Sequence, residues 1–110
     1  RRFMAFRRQR EAAFPNSAGA DANWAMLVEL YLAAIERRRE SISSLCLASG
    51  APPTTALRYI KTLNEAGIVE REPDPDDGRR VFVSMCPASV AVMQQLFDDF
   101  ERQLASSSGD

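Results

Sequence analysis

The chain has 110 residues, 45% of them hydrophobic and 26% charged, with a formal net charge of −1, two cysteines and no histidine. That length and composition fit one globular domain with a modest core and little left over for a deep catalytic cavity. Without histidine, any histidine-dependent catalytic triad is excluded. Cys46 and Cys86 show no CxxC spacing, so neither a metal nor a cofactor is expected.

Residues 1–10 carry five arginines and no acid. Residues 2–14 have the spacing of a helix with a thin apolar stripe, Phe3, Phe6 and Phe14. No apolar run follows Arg1-Arg2-Phe3-Met4, so no secretory signal is expected. No stretch of about eighteen apolar residues implies a membrane span, and a cytoplasmic setting is expected. Pro15-Asn16-Ser17-Ala18-Gly19 breaks the helix and reads as a loop. Asp21 then stands where it caps a long helix over about 22–38. Trp24, Leu27, Val28, Tyr31 and Ile35 recur at three- and four-residue spacing, which predicts one buried face. Arg37-Arg38-Arg39 closes this helix, where cations suit the negative end of the dipole, and reads as a solvated capping cluster.

Ser41-Ile42 predicts a very short strand. Ser43 follows as the cap of a short helix, Ser44 to Ser49, with Leu45 and Ala48 inward and Cys46 as a small apolar core residue. Gly50 ends it in the left-handed geometry that glycine tolerates. Pro53 fits the first turn of a further helix, where a missing N–H costs nothing. That helix runs to about Ala66, with Ala56, Leu57, Ile60 and Leu63 as its buried stripe, and Gly67 stops it. Two short helices joined by a tight glycine-containing turn form a helix-turn-helix pattern.

Ile68 to Glu72 and Arg80 to Met85 are rich in β-branched and apolar residues. Between them Pro73-Asp74-Pro75-Asp76-Asp77-Gly78 is dense in turn formers, so this stretch predicts a β-hairpin with a polar tip, a wing. Pro87 opens a last helix, about 88–105, striped by Met93, Leu96, Phe97, Phe100 and Leu104. Ala105 to Asp110 reads as a flexible tail. The fold class is mainly α with a small β-hairpin, a winged helix-turn-helix in the order α-α-β-α-α-β-β-α. It divides into a basic helix and loop (1–20), the winged core (21–86), a flanking helix (87–105) that supplies a dimer contact, and a tail (106–110).

The second short helix carries the functional signal. Thr54, Thr55, Arg58, Lys61 and Thr62 share the side opposite its apolar stripe. Threonine reaches base edges, a thymine methyl or a phosphate, and arginine bonds guanine bidentately. A helix so built lays its first turns into a major groove while its predecessor crosses the backbone. The basic residues Arg58, Lys61, Arg71, Arg79 and Arg80 recur in this region, interleaved with Glu65, Glu70, Glu72, Asp74, Asp76 and Asp77, so the local field is mixed.

The stretch Ser41 to Met85 resembles the DNA-binding core of the MarR family of bacterial transcriptional regulators. The resemblance is carried by Leu45, Thr54-Thr55, Arg58, the run Leu63-Asn64-Glu65-Ala66-Gly67-Ile68-Val69-Glu70-Arg71, and the wing motif Asp77-Gly78-Arg79 followed by Val83. It implies that Thr54, Thr55 and Arg58 sit in the major groove. It further implies that Arg79 reaches the minor groove, held by Asp77, and that Lys61 and Arg80 pair with phosphates. The implied partners are double-stranded DNA and a second copy of the chain, with Phe97 and Phe100 as candidate dimer contacts. Members of the family usually carry Leu-Thr where this chain has Met85-Cys86, and longer terminal helices, so a small-molecule effector is left open. Nothing in the pattern points to an enzyme. The alternative is a winged-helix adaptor that binds protein and has little or no affinity for DNA. A redox role for Cys46 or Cys86 lacks a neighbouring basic residue to stabilise a thiolate.

Overall fold

A computed structural model describes residues 21–108. The predicted helix over 2–14 and its loop lie outside the described residues. The described elements run α1 (Asp21–Glu36), β1 (Glu40–Ser41), α2 (Ile42–Ser49), α3 (Pro53–Glu65), β2 (Val69–Pro73), β3 (Val81–Met85) and α4 (Pro87–Ser108). The winged helix-turn-helix order expected for this part of the chain is therefore present. The three strands form one antiparallel sheet in the order β1-β3-β2. β2 is an edge strand, which is where Pro73 costs no ladder hydrogen bond.

The helix ends follow local chemistry. Ser41, not Ser43, caps α2: its Oγ accepts from the Ser44 N–H at 3.1 Å. The strand before it is accordingly Glu40–Ser41 rather than Ser41-Ile42. Gly50, at φ 71°, closes α2, and Pro53 occupies the first turn of α3. Gly67, at φ 77°, turns the chain out of α3 while Ile68 N–H reaches back to the Leu63 carbonyl at 3.0 Å. α1 stops earlier than predicted. Arg37 takes a left-handed φ of 56°, and the Arg38 N–H bonds the Ala33 carbonyl at 3.0 Å. α4 runs on to Ser108, past the predicted end at 105.

The core is built from Met26, Leu27, Leu30 and Tyr31 of α1, Leu45 of α2, Ile60 and Leu63 of α3, Val69, Val83 and Met85 of the sheet, and Met93 and Leu96 of α4. Four residues expected inside are not, among them Leu104 of the α4 stripe, 39% exposed. Ile35 is 53% and Leu57 48% exposed, and Ala48 is exposed while its neighbour Ser49 is buried. Cys46, expected in the core, is half-buried at its edge. Met26, Leu30 and Ala33, outside the predicted stripe, set the true inner face of α1. Phe97 packs within the chain, its ring stacked on Tyr31 at 5.4 Å between centroids. The Tyr31 hydroxyl donates to Gln94 Oε1 and so ties α1 to α4.

At the α1–β1 junction one guanidinium gathers three carboxylates. Arg38 reaches Glu29 at 3.1 Å, Glu36 at 2.5 Å and Glu40 at 3.5 Å. Glu40 is only 6% exposed, and burial together with the neighbouring Glu29 pushes its carboxyl up to about 7. Glu29 shifts the other way, held down by its hydrogen bonds to Glu40 and Arg38. The folded state thus holds the Glu40 proton more tightly than the unfolded chain. That contribution is full below about 4.5 and is lost as pH rises through about 7. The Glu29 contribution falls in a separate window below its ordinary value.

Two predictions follow from the core and the junction. Leu45→Ala, at a fully buried position, lowers unfolding free energy in urea by about 2–5 kcal/mol. Leu47→Ala, at a position 84% exposed, changes it by no more than about 0.5 kcal/mol. The wild-type urea midpoint falls between pH 5 and pH 8, a window that no histidine contributes to in this chain. Glu40→Gln, which keeps the neutral form, flattens that fall; a wild-type midpoint unchanged over the range contradicts the assignment.

Candidate nucleic-acid interface

The orientation of α3 decides what it can present. Ala56, Ile60 and Leu63 are buried on one side. At about 100° per residue, Thr54, Arg58 and Lys61 fall close to the opposite side, and all three are exposed. Thr55 and Thr62 lie on the flanks and are half-buried. The Thr62 hydroxyl donates to the Arg58 carbonyl at 3.1 Å, so it is already spent on the helix backbone. Leu57 also falls on a flank, about 90° from the buried axis, which accounts for its exposure. Of the five α3 residues singled out in the sequence, the structure brings Thr54, Arg58 and Lys61 together as an outward stripe and sets Thr55 and Thr62 aside from it.

The wing is closed by its own acids. Asp74 Oδ1 accepts from the Asp76 N–H at 2.9 Å, and Asp77 Oδ1 from the Arg79 N–H at 3.0 Å. The Arg80 N–H bonds the Asp77 carbonyl at 3.0 Å, and the Asp74 N–H bonds the Arg80 carbonyl at 2.9 Å. Asp77 therefore holds the backbone of Arg79 rather than its guanidinium. The Arg79 side chain is exposed, and no described carboxylate lies within ion-pair distance of it. The same is true of Arg58 and Lys61. Arg80 has one loose partner, Asp74 Oδ2 at 3.7 Å from its Nε.

Several charges of this region have identified partners. Asp74 and Asp77 are consumed by the turn, Arg38 is occupied by glutamates at the α1–β1 junction, and Arg102 pairs with Asp99 on α4. Among the described cations, Arg58 and Lys61 on the outer side of α3 and Arg79 at the wing tip have no carboxylate within ion-pair distance, as is also true of Arg37, Arg39 and Arg71.

A polar groove of about 410 Å³ runs between the start of α2 and the wing, lined by Ser41, Ser43, Ser44, Asp77, Arg79 and Arg80. Ser43 and Ser44 were not singled out in the sequence. With Ser41 as the cap, both stand on the exposed first turn of α2. A second groove, of about 610 Å³, is apolar, lined by Ile42, Cys46, Leu47, Pro53 and Leu57 among others.

The two thiols are poorly suited to redox sensing. Burial pushes the Cys46 thiol up, and burial followed by the Glu70 charge does the same to Cys86. Among the described residues no group of three or more acidic or thiol side chains is arranged to hold a metal ion. No described helix is long and apolar enough to cross a membrane.

The sequence model of a family described as a winged helix DNA-binding domain matches residues 24–88. Solved structures that share the fold include the transcriptional regulator Tm0710 of Thermotoga maritima, at 16% identity and a TM-score of 0.70, covering 97% of this chain and 72% of that one. The S. aureus MepR–DNA complex aligns at 14% identity and a TM-score of 0.69, covering 93% and 83%. MarR aligns at 18% identity and a TM-score of 0.63, covering 96% and 77%. At these identities the likeness is one of fold. No curated protein matches the chain in sequence.

Proposed function

Because the chain belongs to the winged helix DNA-binding domain family, we propose that it binds double-stranded DNA sequence-specifically, as a transcriptional regulator of the MarR-like type. The observation that carries this reading is the Thr54–Arg58–Lys61 stripe. It is exposed, and its two cations have no described carboxylate within ion-pair distance, in a chain whose net charge is close to zero. Unneutralised cations gathered on one side of a core-locked helix are an electrostatic footprint for phosphate.

In this reading α3 enters the major groove. Thr54 and Arg58 read base edges, Thr55 contributes from the flank, and Lys61 meets the backbone. The wing, residues 73–80, lies along the adjacent minor groove. Asp77 shapes its tip, and the unpaired Arg79 guanidinium is drawn to the negative potential there. Thr62, whose hydroxyl proton is given to the Arg58 carbonyl, contributes from the flank as an acceptor and through its methyl group. The groove of Ser43, Ser44, Arg79 and Arg80 offers hydroxyls and guanidinium groups to a phosphate. The flanking helix is the element proposed to pair two copies, which sets two α3 helices on one face of a duplex. The family is defined by DNA binding and not by catalysis.

The apolar groove beside Leu47 and Leu57 favours the second reading, a protein-binding adaptor. A titration of labelled duplex against salt separates the two. The DNA reading predicts tight binding at low salt that weakens steeply as salt rises. Arg58→Ala then costs about 1–3 kcal/mol of affinity and relaxes base preference at one position, with the thermal midpoint unchanged. An adaptor shows little affinity for any duplex even at low salt.

A further inference from the structure

Three consecutive arginines leave α1, and the structure assigns them different work. Arg37 makes the left-handed turn, and Arg38 is held by Glu29, Glu36 and Glu40. Arg39 turns to the wing. Its guanidinium carbon lies 5.1 Å from the centroid of the Phe82 ring, and that of Arg80 lies 5.8 Å from the same ring. Phe82 sits in the central strand, paired across to Ser41 on one side and Glu72 on the other, and is half-buried.

Two guanidinium groups are thus held against one ring. An aromatic face orders a guanidinium by its quadrupole without neutralising it. A carboxylate in the same place would order it and cancel its charge. No described carboxylate lies within ion-pair distance of Arg39, and among the described residues the one carboxylate that pairs with Arg80 is Asp74, at 3.7 Å. Both arginines are exposed and ordered on the ring; Glu72, paired across to Phe82, lines the same cavity as Arg39 but lies beyond ion-pair distance of it. Arg80 also lines the polar groove with Ser43, Ser44 and Arg79, so the ring adjoins that groove through Arg80.

We propose that Phe82 is a positioning residue that presents Arg39 and Arg80 together to adjacent phosphates of the DNA backbone. Arg39, which lies outside both the helix-turn-helix and the wing, thereby becomes a further DNA contact. The inference rests on the DNA-binding reading and extends the interface from the wing to the α1–β1 junction. The contact is to phosphate, so it adds affinity and register rather than base preference.

The test uses the full chain and a mixed-sequence duplex of about 30 base pairs, with affinity measured across a salt series. Arg39→Gln, an exposed substitution, flattens the slope of log affinity against log salt by about 1. Phe82→Leu keeps an apolar side chain but removes the ring; it flattens the slope by more than Arg39→Gln does, up to about 2. Phe82→Tyr keeps the ring and retains the wild-type slope. In an Arg39→Gln, Arg80→Gln background, Phe82→Leu has no further effect on the slope, an outcome that a purely structural role for the ring does not give. If the wild type binds with a steep slope and Arg39→Gln leaves it unchanged, the clamp is overturned and the DNA-binding reading stands. If the wild type shows no salt-dependent affinity for the duplex, both are overturned.

Discussion

The packing of Ala56, Ile60 and Leu63 into the core is the constraint on which the rest of this structure depends. Those three side chains fix the roll of α3 about its own axis. Leu45 of α2 and Met26, Leu27 and Leu30 of α1 belong to the same core and close it from the other sides. Once the roll is fixed, Thr54, Arg58 and Lys61 have nowhere to point but outward. A rotation of one residue would bring a flanking threonine or Leu57 into their place. Left-handed turns at Gly50, after α2, and at Gly67, after α3, mark where each of these two helices ends.

Charge is then distributed so that the outer side stays positive. A chain with 14 basic and 15 acidic residues has no excess to spare. Asp74 and Asp77 accept from backbone N–H groups in the wing turn, and Arg38 is bound by three glutamates at the α1–β1 junction. Phe82 extends the same economy. It orders two guanidinium groups with a ring instead of a carboxylate, and so keeps their charge available. Net charge says little about such a protein, because what matters is which cations lack a neighbour.

Much of the fold was legible in the sequence because its punctuation is local. Pro53, Gly50, Gly67 and the run from Pro73 to Gly78 each mark a boundary through their own backbone chemistry, without help from distant residues. Burial was less legible. Periodicity placed Ile35 and Leu57 inside, yet each lies at the margin of an apolar face where the neighbouring element ends, and both are exposed. Serine capping was misread by two positions, since Ser41, Ser43 and Ser44 are all competent caps and only the β1 pairing of Ser41 with Phe82 decides among them. On the candidate site, Arg58, Lys61 and Arg79 stood out by type and spacing. The spent hydroxyl of Thr62 and the backbone role of Asp77 did not, because a side chain's hydrogen-bond partner is a fact of three dimensions. Arg39 and Phe82 are 43 positions apart, and only the sheet brings them together.

The central claim is that α3, held in this roll, reads duplex DNA. Selection of bound duplexes from a random pool, run in parallel with the wild-type chain and Arg58→Ala, tests it most directly. The account predicts enrichment of a pseudo-palindromic site with half-sites about one helical turn apart. It also predicts the loss of preference at one symmetric pair of positions in the variant. A pool that stays unenriched, or a consensus identical in both proteins, contradicts it.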